Sequence, residues 1–324
     1  MFKIAIPGRL AIFLLVFPFC SFGQSYPSRP VRLILPVEPG ASTNDILTRA
    51  LADRLGKELG QRILVDNRPG AHGNIGSAMA ARAAPDGYTL LAGYSGSLAI
   101  NPSMYPQMGY DPDRDLAPIA RFSTVPYVLV VNPSLPANDV KELIALAKAH
   151  PGKLNYGSAG VGGTPHLAAE LLKLSANIDV AHIPYNGGAK SIIDLVAGNV
   201  QMSVTGITGV LSFIKAGKLR ALAVTTAARS TLLPDMPTAI EAGVKDFDVS
   251  AWLGIVAPAQ VPEPVIDRIW NEISKVANSQ EMKDFLKAQG AEAALMRPAE
   301  FRAFIVSDRN RWARVIKAAN IQGE

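Results

Sequence analysis

The sequence has almost no cysteine, and this scarcity excludes several kinds of site. The chain of 324 residues contains one cysteine, Cys20. A disulfide scaffold, a zinc site with cysteine ligands and an iron–sulfur cluster all need more thiols than one. The four histidines, His72, His150, His166 and His182, are not spaced three or four residues apart. We therefore expect neither a metal site nor a disulfide.

Charged residues are also few, whereas apolar residues are plentiful. Asp, Glu, Lys and Arg make up 18% of the chain, hydrophobic residues make up 48%, and the formal net charge is +5. Disordered chains are poor in apolar residues, so this composition predicts a packed globular protein. The length is sufficient for about two domains.

Only one long apolar run is present, and it lies near the N-terminus. Leu10–Cys20 follows the basic residues Lys3 and Arg9. The run is too short for a bilayer span, which needs about 20 apolar residues, but fits the h-region of a signal peptide. We expect residues 1–23 to be a cleavable signal peptide that directs the chain to the periplasm. Alternatives are a membrane anchor, a buried N-terminal strand and a lipoprotein modified at Cys20.

Cleavage after Gly23 changes how the composition is interpreted. It would remove the cysteine and two basic residues, and so lower the net charge of +5 by two. The basic residues Arg309, Arg311, Arg314 and Lys317 lie beside an apolar stripe, which is typical of a solvated helix face. We therefore expect no nucleic-acid partner.

The remaining chain alternates short apolar runs with amphipathic stretches, which predicts an α/β fold. Most apolar runs are continuous, as in strands that are buried on both faces of a parallel sheet. The predicted strands are Val31–Leu35, Ile63–Asp66, Thr89–Ala92, Tyr127–Val131, Leu154–Tyr156, Val180–Ile183, Val200–Val204, Ala221–Val224 and Leu253–Ala257. Predicted helices include one carrying Leu47, Leu51, Leu55 and Leu59, and the segments Val140–Ala149, Pro165–Leu174, Val265–Val276 and Pro298–Ala318.

Two extended segments indicate where the chain passes between lobes. They lie around Phe122–Val131 and Val249–Pro258. The chain would leave a first lobe along one segment and return along the other. We therefore predict one domain from residues 24–124 with 250–324 and a second domain from residues 125–249.

Two loops of small residues precede predicted helices. Pro36–Asp45 reads PVEPGASTND, and Tyr156–His166 reads YGSAGVGGTPH. Glycine and alanine let a ligand approach the backbone, and the first N–H groups of a helix are free to bind an anion. The pair predicts a carboxylate or phosphate site, although each loop alone is also consistent with a tight turn that ends in a helix cap.

Two further small-residue loops follow strands, and neither carries an enzyme signature. They are Asn67–Ser77 and Gly93–Ser97. Open α/β sheets bind ligands beyond the carboxyl ends of their strands, so both are candidates for the site. Gly157, Gly160 and Gly162 do not have the spacing of a dinucleotide-binding loop, and Gly93–Ser97 lacks the second glycine of a hydrolase nucleophile elbow. A Walker A motif is also absent, so we expect no cofactor.

Longer segments resemble a known family. They are NRPGAHGNIG (67–76), PDGYTLL (85–91), YDPDRDLAPIAR (110–121), YGSAGVGGTPHLAAELL (156–172), HIPYNGGAKSIIDLVAGNVQ (182–201), AGKLRALAVTTAARSTLLPDMPTAIEAG (216–243) and RWARVIKAANI (311–321). Together they resemble the Bug family of extracytoplasmic solute receptors, which serve tripartite tricarboxylate transporters. The resemblance extends from about Tyr26 to the C-terminus.

This resemblance implies a two-lobed periplasmic binding protein fold of type II-like architecture, with two mostly parallel sheets and the ligand between the lobes. It also implies a carboxylated ligand, such as a di- or tricarboxylate, held mainly by the two small-residue loops, and two integral-membrane subunits as partners. The chain is expected to act as a monomer and not as an enzyme.

The resemblance is imperfect at two positions. The family's first loop reads PGG-x-x-D, whereas here Ala41 replaces the second glycine and Asp45 lies one residue further on. Thr205-Gly206 stands where many members have Asp-Asn. An aspartate can pair with a ligand ammonium group and a threonine cannot, so we expect a carboxylate ligand without an amino group.

The candidate ligand contacts come mainly from the four loops. They are Gly40, Ala41, Ser42, Asn44, His72, Tyr94, Ser95, Ser158, Ala159, Gly160, Gly163, Thr164 and His166, with Tyr185 and Thr205 at the rim. Asp45 is expected to start the helix rather than to bind the ligand. Two other functions remain open at this point: a receptor that signals to a membrane partner, and an exported α/β hydrolase with Ser95 and His166 as nucleophile and base.

Overall fold

The computed structural model describes residues 26–40 and 42–323, so the predicted signal peptide and Ala41 lie outside the described residues. The strands are β1 Val31–Leu35, β2 Ile63–Asn67, β3 Thr89–Tyr94, β4 Leu116–Val131, β5 Asn155–Ser158, β6 Ala181–Pro184, β7 Met202–Gly206, β8 Arg220–Val224, β9 Ser250–Pro258 and β10 Glu292–Met296. The α-helices are α1 Thr43–Leu59, α2 Asn74–Ala81, α3 Asn101–Met104, α4 Val140–Ala149, α5 Thr164–Ala176, α6 Gly188–Ala197, α7 Ile207–Lys215, α8 Glu263–Asn278, α9 Gln280–Ala288 and α10 Pro298–Ala318.

A first sheet has the strand order β2-β1-β3-β9-β4, and β10 pairs with β4 as well. The strands β1, β2 and β3 are parallel, whereas β9 is antiparallel to both β3 and β4. One face is covered by α1 and α8, where Leu47 and Leu51 share an apolar core with Ile269 and Ile273. This sheet with α1–α3 and α8–α10 is called the first lobe below.

A second sheet has the order β4-β7-β5-β6, with β8 also paired to β4. The strands β5, β6 and β7 are parallel. Leu167 and Leu172 of α5 pack in one apolar core, and Leu195 of α6 and Val210 of α7 pack in another with Val128 of β4. This sheet with α4–α7 is called the second lobe.

The long strand β4 belongs to both sheets. Residues Leu116–Pro126 pair with β9 in the first sheet, and residues Tyr127–Val131 pair with β7 in the second. The two predicted crossing segments therefore lie in β4 and β9. The exact division at residues 124/125 and 249/250 stays a prediction.

The α/β prediction and the nine predicted strands are confirmed, but the sheets are more mixed than predicted. Three strands are parallel in each sheet, whereas every pairing made by β4 or β9 is antiparallel. The reason is that the chain leaves the first lobe along β4 and returns to it along β9, so these two strands run in opposite directions. Strand β10 and helices α2, α3, α6, α7 and α9 were not predicted. Within the described residues, no helix has both the length and the apolar character needed to cross a bilayer.

Candidate functional site

A cavity of about 730 Å³ lies between the two lobes. Its walls come from the start of α1, the ends of β3 and β5, the turn before α3, the start of α5 and the crossing strands. The lining residues are Asn44, His72, Tyr94, Ser95, Gly96, Ile100, Asn101, Met104, Tyr105, Tyr127, Ala159, Gly160, Val161, Gly162, Gly163, Thr164, Pro165, Pro184, Tyr185, Asn186, Ala251, Trp252 and Gln322. The volume falls within the range of typical small-molecule pockets.

The cavity wall lacks acidic residues, lysine and arginine, and His72 is the histidine among its described residues. No Asp, Glu, Lys or Arg occurs among these described lining residues. Instead the wall contains aromatic rings, small residues, amides and hydroxyl groups. A ligand carboxylate placed here would meet neither an opposing carboxylate nor a cationic side chain, so the dipoles of N–H and O–H groups would have to bind it.

The loop between β5 and α5 forms most of the second-lobe wall. Residues 159–164 all line the cavity, and two of them, Gly160 and Gly162, have φ values of 135° and 76°. The helix α5 begins after Gly163, and no side chain caps its N-terminus. The first N–H groups of an α-helix have no partner within the helix, and Pro165 in the first turn has no N–H at all. The free backbone donors at this end are therefore the N–H groups of Thr164 and His166.

Buried side chains behind this loop hold its shape. The Ser158 hydroxyl lies 2.7 Å from His182 Nε2 and also accepts a hydrogen bond from the Gly160 N–H at 3.2 Å. His166 Nδ1 accepts a hydrogen bond from the Gly162 N–H at 3.0 Å. The His166 and His182 rings stack, with centroids 4.0 Å apart. Each imidazole therefore fixes one glycine of the loop, directly or through Ser158.

Burial favours the neutral form of both stacked histidines. Burial lowers the pKa of His166, and burial together with the neighbouring His166 lowers the pKa of His182 to about 4. The groups around them are Tyr156, which stacks on His182 and donates to Glu170, and Lys173, which pairs with Glu170 at 2.8 Å. Neutrality matters because a protonated Nδ1 of His166 can no longer accept the hydrogen bond from Gly162.

The loop before α1 is built differently. The Ser42 side chain accepts a hydrogen bond from the Asp45 N–H and so caps the helix. The buried Asp45 carboxylate accepts hydrogen bonds from Arg49, Asn67 and the Gly40 N–H. Burial alone would raise the pKa of Asp45, but the hydrogen bonds from Arg49 and Asn67 outweigh it and lower that pKa. Only Asn44 of the described part of this loop reaches the cavity.

The rest of the first-lobe wall is held by the backbone of His72. Its carbonyl oxygen accepts hydrogen bonds from the Tyr94 hydroxyl at 3.2 Å and from Asn101 Nδ2 at 3.0 Å. Ala71 and His72 have φ values of 46° and 54°, which are unusual for residues with a side chain. Burial raises the pKa of Tyr94 to about 12, so its hydroxyl stays a donor. These contacts present the His72 ring to the cavity.

Hydroxyl groups complete the floor. Ser95 is 3% exposed, and its hydroxyl has no hydrogen-bond partner among the described residues. Burial raises the pKa of Tyr127 on β4 to about 12, and the nearby Thr164 side chain partly opposes that shift. Trp252 on β9 lines the cavity, and its Nε1 donates a hydrogen bond to Asp308 at 2.8 Å. Within the described chain, no group of three or more His, Cys, Asp or Glu side chains is arranged to hold a metal ion.

The structure brings nine of the predicted contact residues to the cavity wall. They are Asn44, His72, Tyr94, Ser95, Ala159, Gly160, Gly163, Thr164 and Tyr185. Their roles as ligand contacts stay predictions. The position of Ala41 lies outside the described residues.

Five predicted contacts are not part of the wall, and each has another role. Gly40 donates to Asp45, and Ser42 caps α1. Ser158 and His166 support the α5 loop from behind. Thr205 is paired with Val128 inside the second sheet. Four of these residues lie in the predicted loops and Thr205 lies in β7, and their roles as ligand contacts stay predictions.

Sequence reasoning missed the lining residues that come from strands and short helical turns. Tyr127, Ala251 and Trp252 lie on the crossing strands, and Ile100 and Met104 lie in the helical turns after β3. Of these residues only Tyr127 lies in a predicted strand, Tyr127–Val131. Their approach to the cavity depends on how the two sheets meet, which has no local sequence pattern.

Residues 47–321 match the family model described as tripartite tricarboxylate transporter family receptor. The chain belongs to this family. It is 37% identical to the protein BugT of Bordetella pertussis over 295 residues, which cover 91% of this chain and 90% of BugT.

Solved structures of receptors in this group are similar to the chain. One is an R. palustris protein solved with adipate, at 34% identity and a TM-score of 0.75, covering 92% of this chain and 100% of that protein. Another is MatC of Rhodopseudomonas palustris with bound malate, at 29% identity and a TM-score of 0.70, covering 90% of this chain and 100% of MatC. The two-lobed fold predicted from the sequence is thereby confirmed.

Family membership also decides between a receptor and an enzyme. The members and structural neighbours are solute-binding proteins, and receptors of this family are periplasmic. The hydrolase alternative needed His166 as a base for Ser95. In the structure, His166 Nδ1 is already used by the Gly162 N–H, and its ring is stacked on His182. This tripartite tricarboxylate transporter receptor therefore binds a solute rather than transforming it.

Proposed function

We propose that this receptor binds a small carboxylated organic anion in the cavity between its lobes and delivers it to the integral-membrane subunits of a tripartite transporter. The observation that carries the proposal is the uncapped N-terminus of α5, which opens into a cavity whose described wall contains no Asp, Glu, Lys or Arg. Neighbours solved with adipate and malate support the same ligand class.

The physical basis of this binding is hydrogen bonding from fixed dipoles. The N–H groups at the start of α5 and the Ser95 and Thr164 hydroxyls are held by the fold before the ligand arrives. A carboxylate accepts such bonds strongly, and the partial positive charge of the helix N-terminus adds to the attraction. Closure of the lobes would then exclude water and strengthen each bond.

We further propose that the ligand has no amino group. The described lining residues contain no carboxylate that could pair with an ammonium group. Transferring an ammonium group from water into a cavity without such a partner is unfavourable.

Titration calorimetry of the mature chain against a panel of carboxylates tests this function. We expect at least one di- or tricarboxylate to bind and to raise the melting temperature, because a ligand of the native state stabilises it. Uncharged amides of the same acids are the matched controls and should not bind. Tight binding of an amino acid with no binding of simple carboxylates would overturn the ligand class.

Export is the remaining part of the proposal. We propose that residues 1–23 are removed on export, which yields a monomeric periplasmic receptor. The mass of the protein recovered from the periplasm should equal that of a chain starting at Gln24. A full-length or lipid-modified chain would contradict this.

A further inference from the structure

Trp252 lines the cavity from the crossing strand β9, yet it is almost completely buried, with 1% of the residue exposed. Trp252 and Gly254 lie on the same face of β9, because side chains alternate along a strand. A Cβ at Gly254 would collide with the Phe301 ring, so this glycine allows α10 to approach the strand closely. The indole is therefore enclosed between the cavity and α10.

Two phenylalanine rings of α10 pack against the Trp252 ring in T-shaped geometry. The ring centroid of Trp252 lies 5.4 Å from that of Phe301 and 5.6 Å from that of Phe304. Edge-to-face contacts of this kind are favourable between aromatic rings. They limit where the indole lies, but apolar packing alone does not select which edge of the indole faces the helix.

A buried carboxylate on the same helix sets the direction of the indole. Trp252 Nε1 donates to Asp308 Oδ2 at 2.8 Å, and Arg311 Nη2 donates to Asp308 Oδ1 at 2.6 Å. Asp308 is 2% exposed. Burial raises the pKa of Asp308, and Arg311 and Trp252 oppose that rise. The carboxylate thus binds two donors of fixed direction, and one of them belongs to the cavity lining.

Arg311 extends this contact to the place where the second lobe joins β9. Its Nη1 donates to the Asp248 carbonyl oxygen, and the Asp248 carboxylate accepts a hydrogen bond from the Ala227 N–H at 3.0 Å. Asp248 lies just before Ser250, where β9 begins. Helix α10 therefore contacts the crossing segment at two points, the Asp248 carbonyl and the Trp252 indole, and Asp308 connects them.

Stability alone is a weak explanation for a buried ion pair of this kind, because apolar side chains of similar size often stabilise a core equally well. We infer that Asp308 is a positioning residue for the ligand. Through its hydrogen bond it holds the Trp252 indole in the one orientation that shapes the cavity for a carboxylate. This inference rests on the proposed function, which places the ligand in this cavity.

Ligand affinities of Asp308 variants of the mature chain test the inference. The probes are adipate, malate and citrate, and calorimetry uses the one that binds the wild type most tightly. Asp308→Leu removes the acceptor of the indole N–H, so we expect affinity to fall roughly tenfold. Asp308→Asn keeps an acceptor oxygen and should lose only about threefold. Asp113→Asn, which removes the ion pair of Asp113 with Arg309 on α10, is the matched control and should leave affinity unchanged.

A double-mutant cycle shows whether Asp308 acts through Trp252. Trp252→Phe keeps a ring but has no N–H to donate. Asp308→Leu should therefore add less than about twofold to the loss that Trp252→Phe causes alone. The same cycle with Asp308→Asn gives the answer where the leucine variant does not fold. A purely structural role would lower the free energy of unfolding and leave the affinity of the folded protein unchanged.

Fluorine NMR follows the ring itself. Protein labelled with 5-fluorotryptophan has three signals, from Trp252, Trp270 and Trp312. We expect the bound acid to shift the Trp252 signal and to leave that of Trp270, on α8, in place. Without ligand, Asp308→Leu should broaden or split the Trp252 signal, because the ring is no longer held in one orientation.

The outcomes separate this inference from the proposed function. Equal affinities of the wild type and the Asp308 variants, additive losses in the cycle, or a Trp252 signal that Asp308→Leu does not change would each overturn the positioning role and leave the receptor as proposed. If none of the three acids binds the wild type, the proposed function itself fails.

Discussion

The two loops that begin α1 and α5 have similar sequences but opposite electrostatic character. Before α1, Ser42 caps the helix and the Asp45 carboxylate sits in the first turn, paired with Arg49. Before α5, the cap position is Gly163, and the structure gives this end neither a side-chain cap nor an acidic residue in the first turn. A helix end that satisfies its own donors has little left for a ligand, so the α5 loop is the stronger anion site.

The first test of this difference places an acidic residue at the N-terminus of α5, as α1 already has. In Gly163→Asp, the new carboxylate would cap the helix and occupy the position of the ligand carboxylate. A Cβ at Gly163 has room, because its nearest neighbour would be Pro165 Cδ at 3.7 Å. We expect carboxylate affinity to fall about 100-fold while the helix becomes slightly more stable. Calorimetry and thermal unfolding measure the two effects.

Two control variants separate charge from capping and one loop from the other. Gly163→Asn caps α5 without adding charge and should weaken binding less than Gly163→Asp. Ser42→Asp adds the same charge to the α1 loop and should lower affinity less than roughly tenfold, because Ser42 is not in the cavity wall. Equal losses for the two aspartate variants would contradict the difference between the loops.

The second test removes the internal acid of the α1 loop. Asp45→Asn keeps the size of the buried side chain but loses its charged hydrogen bonds to Arg49 and Asn67. We expect the free energy of unfolding to drop by about 2 kcal/mol, with affinity nearly unchanged. Asp53→Asn, on the exposed face of the same helix and paired with Lys57, should cost less than about 1 kcal/mol. Urea unfolding gives both values, and a large loss of affinity in Asp45→Asn would show that this loop binds the ligand.

The third and smallest effect concerns the histidines behind the α5 loop. In an unfolded chain a histidine has a pKa of about 6.5, whereas in the fold the pKa of His182 is lowered to about 4. Between these values only the unfolded state takes up the proton, so stability should fall as the pH is lowered through that window and be fully present above it.

Unfolding curves recorded across this pH window measure the effect. His182→Phe keeps an aromatic ring for the stack but cannot titrate, so its stability should depend less on pH than that of the wild type. His150→Phe, at an exposed histidine, is the control and should keep the wild-type slope. A His182→Phe slope equal to that of the wild type would exclude His182 as the source.

The strands and main helices were predictable because their apolar residues form continuous or periodic runs. Helices α4 and α10 start and end where their patterns predicted. Strand β10 was missed because Glu292–Met296 is only partly buried, and its apolar residues include no β-branched or aromatic side chain of the kind that favours strands. Helix α6 begins at Gly188, directly after Gly187, and buries only Ser191 and Leu195, so its pattern is weak.

The candidate site was predictable at the level of loops but not of side chains. Glycines and hydroxyl residues before a helix identified the α5 loop, because close ligand approach needs small residues. The direction of Ser158 and His166 depends on His182, which lies on a different strand. Such contacts between distant segments form only in the folded chain and have no characteristic residue spacing in the sequence. The aromatic wall from β4 and β9 was missed for the same reason.

Strand β4 also has a consequence for the order in which the chain matures. Its first part pairs with β9, and so does β3, yet β9 is synthesised only after the whole second lobe. A growing chain emerges N-terminus first. The second lobe can therefore complete its sheet while β3 and the first part of β4 still present open edges. Until β9 arrives, the first lobe is unfinished and exposed to mispairing with other chains. Although β3 and the first part of β4 are synthesised early, their edges are therefore among the last to be covered.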